Sequence, residues 1–386
     1  MNIAHLVGYI SLNCGGPPFS IYNLAKALRE KKVNADIWSV ISDKERKEMF
    51  FNDVNIKLFN LEFPKRWRKS SKLYSALKKD ILNYDILHLH QVWDYPIYVG
   101  AKLACKYRKP YIISPRGIFM DRWRYNSIKK ILYFKIIFGK YMDRATCIHA
   151  LSDLELKGLL KAGIKGNFTV IPNGIRVEDY QNLPKNYAEK IWPDIDKSLV
   201  CLYMGRLSPE KGIELLITSW AEVIKQHKEA KLLIAGEGTI KYKEKLRNQI
   251  KKLGLESYVL FIGLLDDFKK KVALGRADVY VQASYSEGMS NSILEAMVSG
   301  KPCVITKGCN FPSIAEWAAG EVVEPDPISM SQAILRILSL SQRERIDMGQ
   351  KGKYEVINNF SWEKIALKYY KVYECILNNE TIPLKP

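Results

Sequence analysis

One feature constrains the fold of this chain more than any other: short apolar segments alternate with helical patterns, and the series occurs twice. The first series of apolar segments comprises residues 3–10, 35–40, 86–89, 111–113 and 147–151, and the second comprises residues 199–204, 231–235, 259–261, 279–283 and 303–306. Strands that alternate with helices in this way build parallel, doubly wound sheets. The chain is therefore predicted to be an α/β protein with two Rossmann-like domains that face a cleft.

A polar, proline-containing stretch at residues 178–197 interrupts the alternation, and we place the linker between the domains there. The N-terminal domain then comprises residues 1–180 and the C-terminal domain residues 198–360. Residues 361–386 begin with a serine that is a good N-cap and carry an apolar stripe at helical spacing. We expect this last segment to be a helix that packs on a domain.

The composition narrows the class of protein. The seven cysteines are scattered and form no Cys-X-X-Cys pair, which is typical of a reducing compartment and argues against a zinc site. The sequence has no run of about 18 apolar residues and no signal-peptide pattern. We therefore expect a cytoplasmic protein that needs no metal and no other cofactor.

The net charge of +19 is unevenly distributed along the chain. Residues 1–200 contain 34 basic and 19 acidic residues, whereas residues 201–386 contain 26 and 22. A positive field of this kind favours an anionic partner, such as a membrane surface or a lipid-linked phosphate. The sequence carries no recognised nucleic-acid-binding signature, so we expect no nucleic-acid partner.

Two cations follow the first strand of the second series. Arg206 and Lys211 lie in a glycine-containing turn between residues 199–204 and the next helix. Open α/β sheets bind ligands at the carboxyl ends of their strands, and an arginine fork beside a lysine point charge suits a diphosphate there. The alternative is an ordinary turn with two solvated cations.

Two glutamates follow the fourth strand of the second series. Glu287 lies in the loop after residues 279–283, and Glu295 lies about one turn inside the next helix, which Ser290 or Asn291 can cap. The first N–H groups of that helix form a seat for an anion, and carboxylates accept hydrogen bonds from sugar hydroxyls. The alternative is a capping carboxylate and a solvated helix glutamate.

The seven-residue separation of Glu287 and Glu295, within SYSEGMSNSILEAMVSGKPCVIT, resembles the EX7E motif of glycosyltransferase family 4, a family of retaining GT-B enzymes. The resemblance covers most of the chain, and the order of its motifs is highly specific. The other matching motifs are GG at 15–16, DILHLH at 85–90, SPRG at 114–117, HALSDLE at 149–155, IPNG at 171–174, GR at 205–206, KG at 211–212, AGEG at 235–238 and FIG at 261–263.

The resemblance implies a retaining glycosyltransferase whose donor is a nucleoside-diphosphate sugar. It implies that Arg206 and Lys211 neutralise the donor diphosphate, that Glu287 contacts the donor sugar, and that Glu295 holds the ribose. Arg206, Lys211 and Glu287 are thus the implied catalytic residues. The other implied donor-binding residues are Gly15 and Gly16 of the N-terminal loop, Gly263 and Leu264 beside the base, and Gly288, Met289, Ser290 and Asn291 around the sugar. The last helix would cross back to the N-terminal domain.

The sequence departs from the family at one position. Many members carry a histidine after the strand at residues 111–113, whereas this chain has Ser114, as does a subset of bacterial polysaccharide enzymes. We expect Ser114, Arg116 and His90 on the acceptor side of the site, with a purely structural Arg116 as the alternative. We interpret His88 as a core histidine on the opposite face of its strand from His90.

The family implies catalysis by stabilisation of the leaving group, and the sequence shows no clear nucleophile, so we expect attack from the leaving-group face. Asp266 and Asp267 are a weak metal pattern that we interpret as a helix cap. Residues 63–69 and 122–124 mix cations with aromatic rings, which suits peripheral contact with an anionic inner membrane, although a solvated basic face is the alternative. We expect a glycan or a polyprenyl-diphosphate-linked acceptor and a hexose donor, as in the synthesis of O-antigen, capsule or exopolysaccharide.

Two other classes of function remain open at this point. Nucleotide-sugar epimerases share the GT-B architecture and would act on a nucleotide sugar without an acceptor. A non-catalytic basic module that binds membranes would keep its function after loss of Glu287.

Overall fold

The computed structural model describes residues 1–10, 16–46, 53–119 and 128–386. The chain forms two compact units: unit 1 comprises Met1–Gly174 and Trp362–Pro386, and unit 2 comprises Ile175–Ser361. The stretch at residues 178–197, where we placed the linker, belongs to unit 2. Tyr180, Ala188 and Ile195 of this stretch are buried in the core of that unit.

Unit 1 is built on a seven-stranded sheet in which every pair of neighbouring strands is parallel. Its strands are β1 (Asn2–Val7), β2 (Asn34–Ile41), β3 (Ile56–Asn60), β4 (Ile86–His90), β5 (Tyr111–Ser114), β6 (Cys147–Ala150) and β7 (Phe168–Val170). The order across the sheet is β3-β2-β1-β4-β5-β6-β7. The direction of the chain across the sheet therefore reverses between β1 and β4, which we call the switch point of unit 1.

The helices that connect these strands cover both faces of the sheet. They are α1 (Gly16–Glu30), α2 (Asp43–Arg46), α3 (Ser71–Asp80), α4 (Tyr95–Tyr107), α5 (Ile128–Tyr133), α6 (Gly139–Met142) and α7 (Asp153–Lys161). A π-helical segment, Phe134–Phe138, joins α5 to α6.

Unit 2 has a six-stranded parallel sheet. Its strands are β8 (Leu199–Met204), β9 (Ala230–Ala235), β10 (Val259–Gly263), β11 (Val279–Gln282), β12 (Cys303–Thr306) and β13 (Gly320–Val323), in the order β10-β9-β8-β11-β12-β13. Its helices are α8 (Ala188–Ile191), α9 (Ile213–Gln226), α10 (Ile240–Lys252), α11 (Asp267–Arg276), α12 (Asn291–Val298), α13 (Ser313–Glu316), α14 (Pro327–Leu338) and α15 (Gln342–Phe360). The switch point of unit 2 lies between β8 and β11.

The last helix, α16 (Trp362–Leu377), belongs to unit 1. Its apolar side chains are buried with those of α1 and with one face of the unit 1 sheet, and they include Trp362, Ile365, Tyr369, Val372, Tyr373 and Ile376. The helical stripe found in the sequence is therefore the surface that covers this face of the sheet.

The two sheets confirm the α/β class and the pair of doubly wound domains. None of the helices in the described ranges is long and apolar enough to cross a membrane.

Candidate functional site

The two strands that flank the switch point of unit 2, β8 and β11, are followed by loops whose side chains form an ion pair. Lys211 ends the short 3-10 turn Pro209–Lys211 after β8, and Glu287 lies in the loop after β11. The Lys211 ammonium donates to Oε1 of Glu287, and only 20% and 10% of the two side chains are exposed. Strand order thus brings together two residues that are 76 positions apart in the sequence.

Glu287 is held in place through one of its two carboxylate oxygens. Besides Lys211, the amide of Gln282 donates to Oε1 at 2.9 Å and the hydroxyl of Ser284 donates to it at 2.8 Å. Oε2 receives no hydrogen bond from any residue that the structure describes. The fixed carboxylate therefore keeps one oxygen for a ligand.

The turn that carries Lys211 packs directly against the end of β11. Gly212 has a φ of +65°, and a Cβ there would lie 1.9 Å from the carbonyl oxygen of Ala283, so only glycine fits. The backbone N–H of Tyr285 donates to the carbonyl of Glu210 at 2.9 Å, which joins the two loops. This contact sets the position of Lys211 relative to Glu287.

Arg206 lies just after β8 and is exposed. Its carbonyl accepts a hydrogen bond of 3.1 Å from the hydroxyl of Tyr203, which fixes its backbone. Within the described residues its guanidinium forms no ion pair, so its charge is available to an anion.

Ser290 occupies the N-cap of α12, but its side chain does not cap the helix. Its hydroxyl instead donates to Oε1 of Gln282 at 3.0 Å, next to the residue that holds Glu287. Gly288 and Met289 lie in the loop that leads to this helix, and Asn291 is its first residue. Of the two residues that the sequence allowed as the cap, Ser290 or Asn291, Ser290 takes the N-cap position but uses its hydroxyl to bind Gln282 instead.

Glu295 lies on α12 and faces a basic neighbour. The ammonium of Lys270, on α11, donates to its Oε1 at 2.9 Å. Burial alone would lower the pKa of Lys270, but the adjacent Glu295 carboxylate raises it on balance, so this lysine stays charged. Tyr180 also contacts Glu295, and burial together with this carboxylate raises the pKa of its phenol.

The other predicted donor residues are scattered over both units. Gly263 ends β10 with a φ of +71°, and 67% of Leu264 beside it is exposed. Gly16 is the first residue of α1 in unit 1, and Gly15 lies outside the described residues. Asp266 is the N-cap of α11 and accepts a hydrogen bond from the N–H of Lys269 at 2.8 Å, which confirms the helix cap.

The switch point of unit 1 contains a buried histidine cluster. The sequence has five histidines, and four of them lie on β1, β4 and β6 with at most 1% of their surface exposed: His5, His88, His90 and His149. They share the sheet face that α1 and α16 cover. Burial, with a smaller contribution from the positive charge of Arg116, lowers the pKa of His5 and of His149 to about 3. The cluster is therefore neutral at physiological pH.

One hydrogen-bonded chain in this cluster starts at Arg116, which follows β5. Its Nε donates to Nδ1 of His90 at 3.2 Å, so the proton of that ring is on Nε2. That proton is then donated to Nδ1 of His5, 3.0 Å away. The chain ends at Nε2 of His5, which is buried and has no hydrogen-bond partner among the described residues.

A second chain runs along the ends of β4, β5 and β6. Because Ile171 can only accept through its carbonyl, Nε2 of His149 donates to it at 2.7 Å, and Nδ1 of His149 accepts from the Ser114 hydroxyl at 2.7 Å. Ser114 in turn accepts from Nε2 of His88 at 2.6 Å, and the phenol of Tyr373 donates to Nδ1 of His88 at 2.8 Å. Ser114 thus links two buried histidines and is itself fully buried.

The placement of His88 was wrong in the sequence interpretation. The rings of His88 and His90 stack with centroids 4.2 Å apart, so both residues point to the same face of β4. Side chains alternate between the two faces of a strand, so residues two positions apart, such as 88 and 90, share a face. The sequence interpretation placed them on opposite faces, which is the rule for adjacent residues. His88 is buried as expected, but His90 is buried beside it.

The ring nitrogens of His5, His88 and His90 lie close enough together to hold a metal ion. However, the guanidinium of Arg116 donates into the same cluster, and its positive charge disfavours a second cation there. We therefore interpret these nitrogens as the hydrogen-bonded chains described above.

Arg116 combines a left-handed backbone with a guanidinium that has neutral partners. Its φ is +57°, an unusual conformation for a residue with a side chain. Nη1 donates to Oδ1 of Asn173 at 3.3 Å while Nε donates to His90. The side chain is half-buried, and no carboxylate of the described residues forms an ion pair with it.

Two family descriptions match the chain, one for each unit. "Glycosyltransferase Family 4" matches residues 14–179, and "Glycosyl transferases group 1" matches residues 187–354. The chain belongs to glycosyltransferase family 4. Lys211 and Glu287, two of the unit 2 residues that resembled the family from sequence, lie together in this enzyme.

Two curated relatives align with this glycosyltransferase over nearly their whole length. One is the GDP-mannose:cellobiosyl-diphosphopolyprenol alpha-mannosyltransferase of Komagataeibacter xylinus, 22% identical over 98% of this chain and 94% of the relative. The other is the O-antigen biosynthesis glycosyltransferase WclY of Escherichia coli, 26% identical over 97% and 98%.

The fold of the glycosyltransferase is similar to that of solved GT-B structures. The crystal structure of Anabaena HepE in complex with UDP and glucose superposes with a TM-score of 0.80 at 19% identity, over 97% of this chain and 99% of HepE. The similarity confirms the two-domain GT-B fold that the sequence predicted.

Sequence reasoning missed several polar residues of the glycosyltransferase. Gln282 and Ser284 hold Glu287, and their signal was present as two buried polar residues at the end of an apolar strand. Lys270 lies in a run of three lysines, which gives no sign that it pairs with Glu295.

Proposed function

We propose that this glycosyltransferase transfers a hexose, with retention of anomeric configuration, from a nucleoside-diphosphate sugar to a glycan or a polyprenyl-diphosphate-linked acceptor during synthesis of a surface polysaccharide. The observation that supports the donor half of this proposal is the Lys211–Glu287 pair beside an unpaired Arg206 at the switch point of unit 2. Ligands of doubly wound sheets bind at this place.

The role that we propose for each donor-binding residue follows from the charge of its side chain. In the proposal, the donor diphosphate lies against Arg206 and draws on the charge of Lys211. Glu287 keeps its bonds from Gln282 and Ser284 and accepts a sugar hydroxyl through Oε2. Glu295, beside Lys270, accepts the ribose hydroxyls. The two fixed cations stabilise the charge that develops on the departing nucleotide, which is the main catalytic term of the proposal.

Retention is proposed to arise by attack of the acceptor hydroxyl on the face that the nucleotide leaves. The carbon–oxygen bond to the diphosphate breaks as the bond to the acceptor oxygen forms, and the proton of that hydroxyl passes to the leaving phosphate. Glu287 is held by Lys211, Gln282 and Ser284, which suits a binding role better than that of a mobile nucleophile.

The acceptor half of the proposal is supported by unit 1. Arg116, anchored by His90 and Asn173, offers a fixed cation for a phosphate of the acceptor. His90 and Ser114 are buried behind it and are proposed to position the acceptor side without touching the ligand. The name of the K. xylinus relative gives that enzyme a diphosphopolyprenol acceptor, which is why we propose this class here.

We also propose peripheral contact of unit 1 with an anionic inner membrane. Phe63 and Ile136 are 84% and 71% exposed, and Leu132, on α5, is exposed as well. Lys65 and Lys135 are exposed beside the apolar residues. Apolar side chains with adjacent lysines suit the interface of an anionic bilayer.

Part of the predicted basic surface has another role in the structure. Trp67 packs against the rings of Tyr95 and Tyr98, and Arg68 forms an ion pair with Glu45. These two residues are therefore removed from the proposed membrane surface. Residues 122–124, the other predicted segment, lie outside the described residues.

The proposed function is tested by a donor screen. UDP-, GDP- and ADP-sugars are each incubated with the protein and with lipid-linked oligosaccharides, and nucleotide release and the anomeric configuration of the product are measured. We expect one donor to give an acceptor-dependent product with retained configuration. A product of inverted configuration, or epimerisation of the nucleotide sugar without an acceptor, would contradict the proposal.

A further inference from the structure

Asp94 stands at the switch point of unit 1, between β4 and α4. Gly8 follows β1 directly, and Asp94 follows β4 by four residues, so the two lie at the carboxyl ends of the strands that flank the switch point. Ligands of doubly wound sheets bind at this edge.

The position of Asp94 suggests a helix cap, but its side chain does not act as one. Asp94 is the N-cap of α4, and its carboxylate accepts no hydrogen bond from the first N–H groups of that helix. At the N-cap of α14, by contrast, the Asp326 carboxylate accepts from Ile328 and Ser329 at 3.0 and 2.9 Å. The ordinary structural reason for an aspartate at this position is therefore missing.

The Asp94 carboxylate has no hydrogen-bond donor among the residues that the structure describes. Arg68 is the nearby cation, but its nitrogens donate to Glu45 and to the carbonyls of Gly8 and Val40. Tyr133 is the other titratable group that faces it. Burial raises the pKa of Asp94 to about 6, although Arg68 acts in the opposite direction.

Gly8 provides the room in which this carboxylate lies. A Cβ at position 8 would be 2.1 Å from Oδ2 of Asp94 and 2.5 Å from its Cγ. The missing side chain therefore allows the carboxylate to lie against the end of β1. The Asp94 carboxylate is half-buried, and neighbouring atoms of the described residues desolvate it enough to raise its pKa without supplying a donor. Carboxylates with raised pKa values are concentrated at functional sites.

We propose that Asp94 binds the acceptor, by accepting a hydrogen bond from one of its hydroxyl groups. The inference rests on the proposed function and adds a substrate-contacting residue to it. A neutral hydroxyl fits better than a cationic ligand, because Arg68 already contributes a positive charge at this place. The hydroxyl supplies the donor that the carboxylate lacks.

The test compares Asp94→Asn with wild type in acceptor and donor kinetics. Asparagine keeps the shape of the side chain but removes its charge, so we expect kcat/KM for the acceptor to fall about 10- to 100-fold, the size of one hydrogen bond to a charged group. The KM for the donor, and the slow hydrolysis of the donor by water, should stay within about twofold because both depend on unit 2. In wild type, kcat/KM for the acceptor should fall as the pH drops through about 6, and D94N should lose this dependence.

Stability gives a readout that does not depend on activity. Because the folded-state pKa of Asp94 is raised, its charge destabilises the fold above pH 6 and not at pH 4. D94N should therefore melt at a higher temperature than wild type at pH 7.5, and the difference should vanish near pH 4. Asp326→Ala is the comparison variant: it removes a working cap, so it should lower the melting temperature and leave acceptor kinetics unchanged.

The outcomes separate this inference from the proposed function. If wild type neither hydrolyses any donor nor transfers a sugar, the proposed function fails and this inference fails with it. If wild type transfers a sugar and D94N does so with the same kcat/KM for the acceptor, only the role of Asp94 is overturned. A lower melting temperature for D94N at pH 7.5 would also overturn it, because the carboxylate would then have a structural partner. Gly8→Ala, which fills the space beside the carboxylate, should reproduce the loss in acceptor kcat/KM.

Discussion

The switch points of the two units hold different kinds of polar chemistry on sheets of the same strand order. In unit 2, Lys211 and Glu287 meet as opposite charges in the loops beyond the strands, where a ligand can reach them. In unit 1, the polar residues lie within the strands themselves, as histidines that are buried under α1 and α16. The same topology therefore supports charged groups at the strand ends in one unit and a neutral layer below them in the other.

The last helix explains much of this difference. Tyr369 and Tyr373 of α16 contact His149 and His88, so the helix that completes unit 1 also supplies partners for its polar layer. Buried polar groups in a low-dielectric interior need such partners, and a complete network fixes one arrangement. The other chain of this layer, which joins His5 to His90, ends at Arg116 and holds it in place.

The largest expected effect is a loss of stability of unit 1 in acid. His5 and His149 have a folded-state pKa of about 3, against 6.5 for exposed histidine, so below pH 6.5 the unfolded chain binds protons that the folded chain does not. Each histidine then lowers the free energy of unfolding by about 1.4 kcal/mol per pH unit, or about 4 kcal/mol for both at pH 5. Hydrogen exchange measured from pH 7.5 to pH 5 should show this loss.

Unit 2 is the internal control for the acid experiment. Its one histidine, His227, lies at the surface beside Glu229. Amide protection in β1, β4 and β6 should therefore fall before protection in β8 and β11. Equal loss of protection in both units at pH 5 would show that the histidine layer does not determine acid stability.

The sequence predicted every interior strand of both sheets but only one of the four edge strands, β10. All ten predicted apolar segments correspond to strands, whereas β3, β7 and β13 were not expected, and each lies at the edge of a sheet. An edge strand is covered less completely and needs fewer apolar residues. Residues 56–60, which form β3, are all at least partly exposed, and Lys57 and Asn60 interrupt their apolar residues. Their pattern is too weak to identify a strand without the neighbouring β2.

From the sequence, the charged residues of the proposed site could be singled out, whereas their partners could not. Glu287, Glu295, Arg206 and Lys211 were recognised from spacing and from resemblance to the family. The pairing of Glu295 with Lys270, and the direction of the His5–His90–Arg116 chain, depend on side chains that meet only after folding. No local spacing encodes such contacts between elements.

The second prediction removes the charge pair of unit 2. Lys211→Ala should lower kcat/KM for the donor about 30- to 1,000-fold, because about 2–4 kcal/mol of transition-state stabilisation is lost with one electrostatic donor. Steady-state nucleotide release measures the effect. Lys245→Ala breaks a surface pair with Glu214 on the same unit and should change kcat/KM less than twofold. A K211A rate within threefold of wild type would contradict the catalytic role.

The third prediction tests whether Arg116, which the buried histidines of unit 1 hold in place, binds the acceptor. Arg116→Gln should raise the KM for a diphosphate-linked acceptor about tenfold, since one charge-assisted contact is lost, and should leave the KM for the donor unchanged. Arg108→Gln is a matched control, because Arg108 also has a left-handed backbone on unit 1 but is exposed at the end of α4.

His90 allows the positioning role to be separated from binding. His90→Asn can place an amide oxygen near the position of Nδ1 and accept the bond from Arg116, whereas His90→Leu has no acceptor. We expect H90N to keep most of the acceptor affinity and H90L to behave like R116Q. Equal KM values for H90L and wild type would show that Arg116 needs no support from the layer.

The smallest expected effect concerns the surface of unit 1. Replacing Phe63 and Ile136 by serine should reduce binding to vesicles that contain anionic lipid about threefold to tenfold, because two exposed apolar side chains no longer enter the interface. Ile328→Ser is the matched control, since Ile328 is similarly exposed on unit 2 and follows Asp326. Flotation at low salt measures the bound fraction for both. If I328S lost as much binding as the F63S/I136S double variant, the membrane surface would not belong to unit 1, and the contrast between a donor unit and an acceptor unit would lose this support.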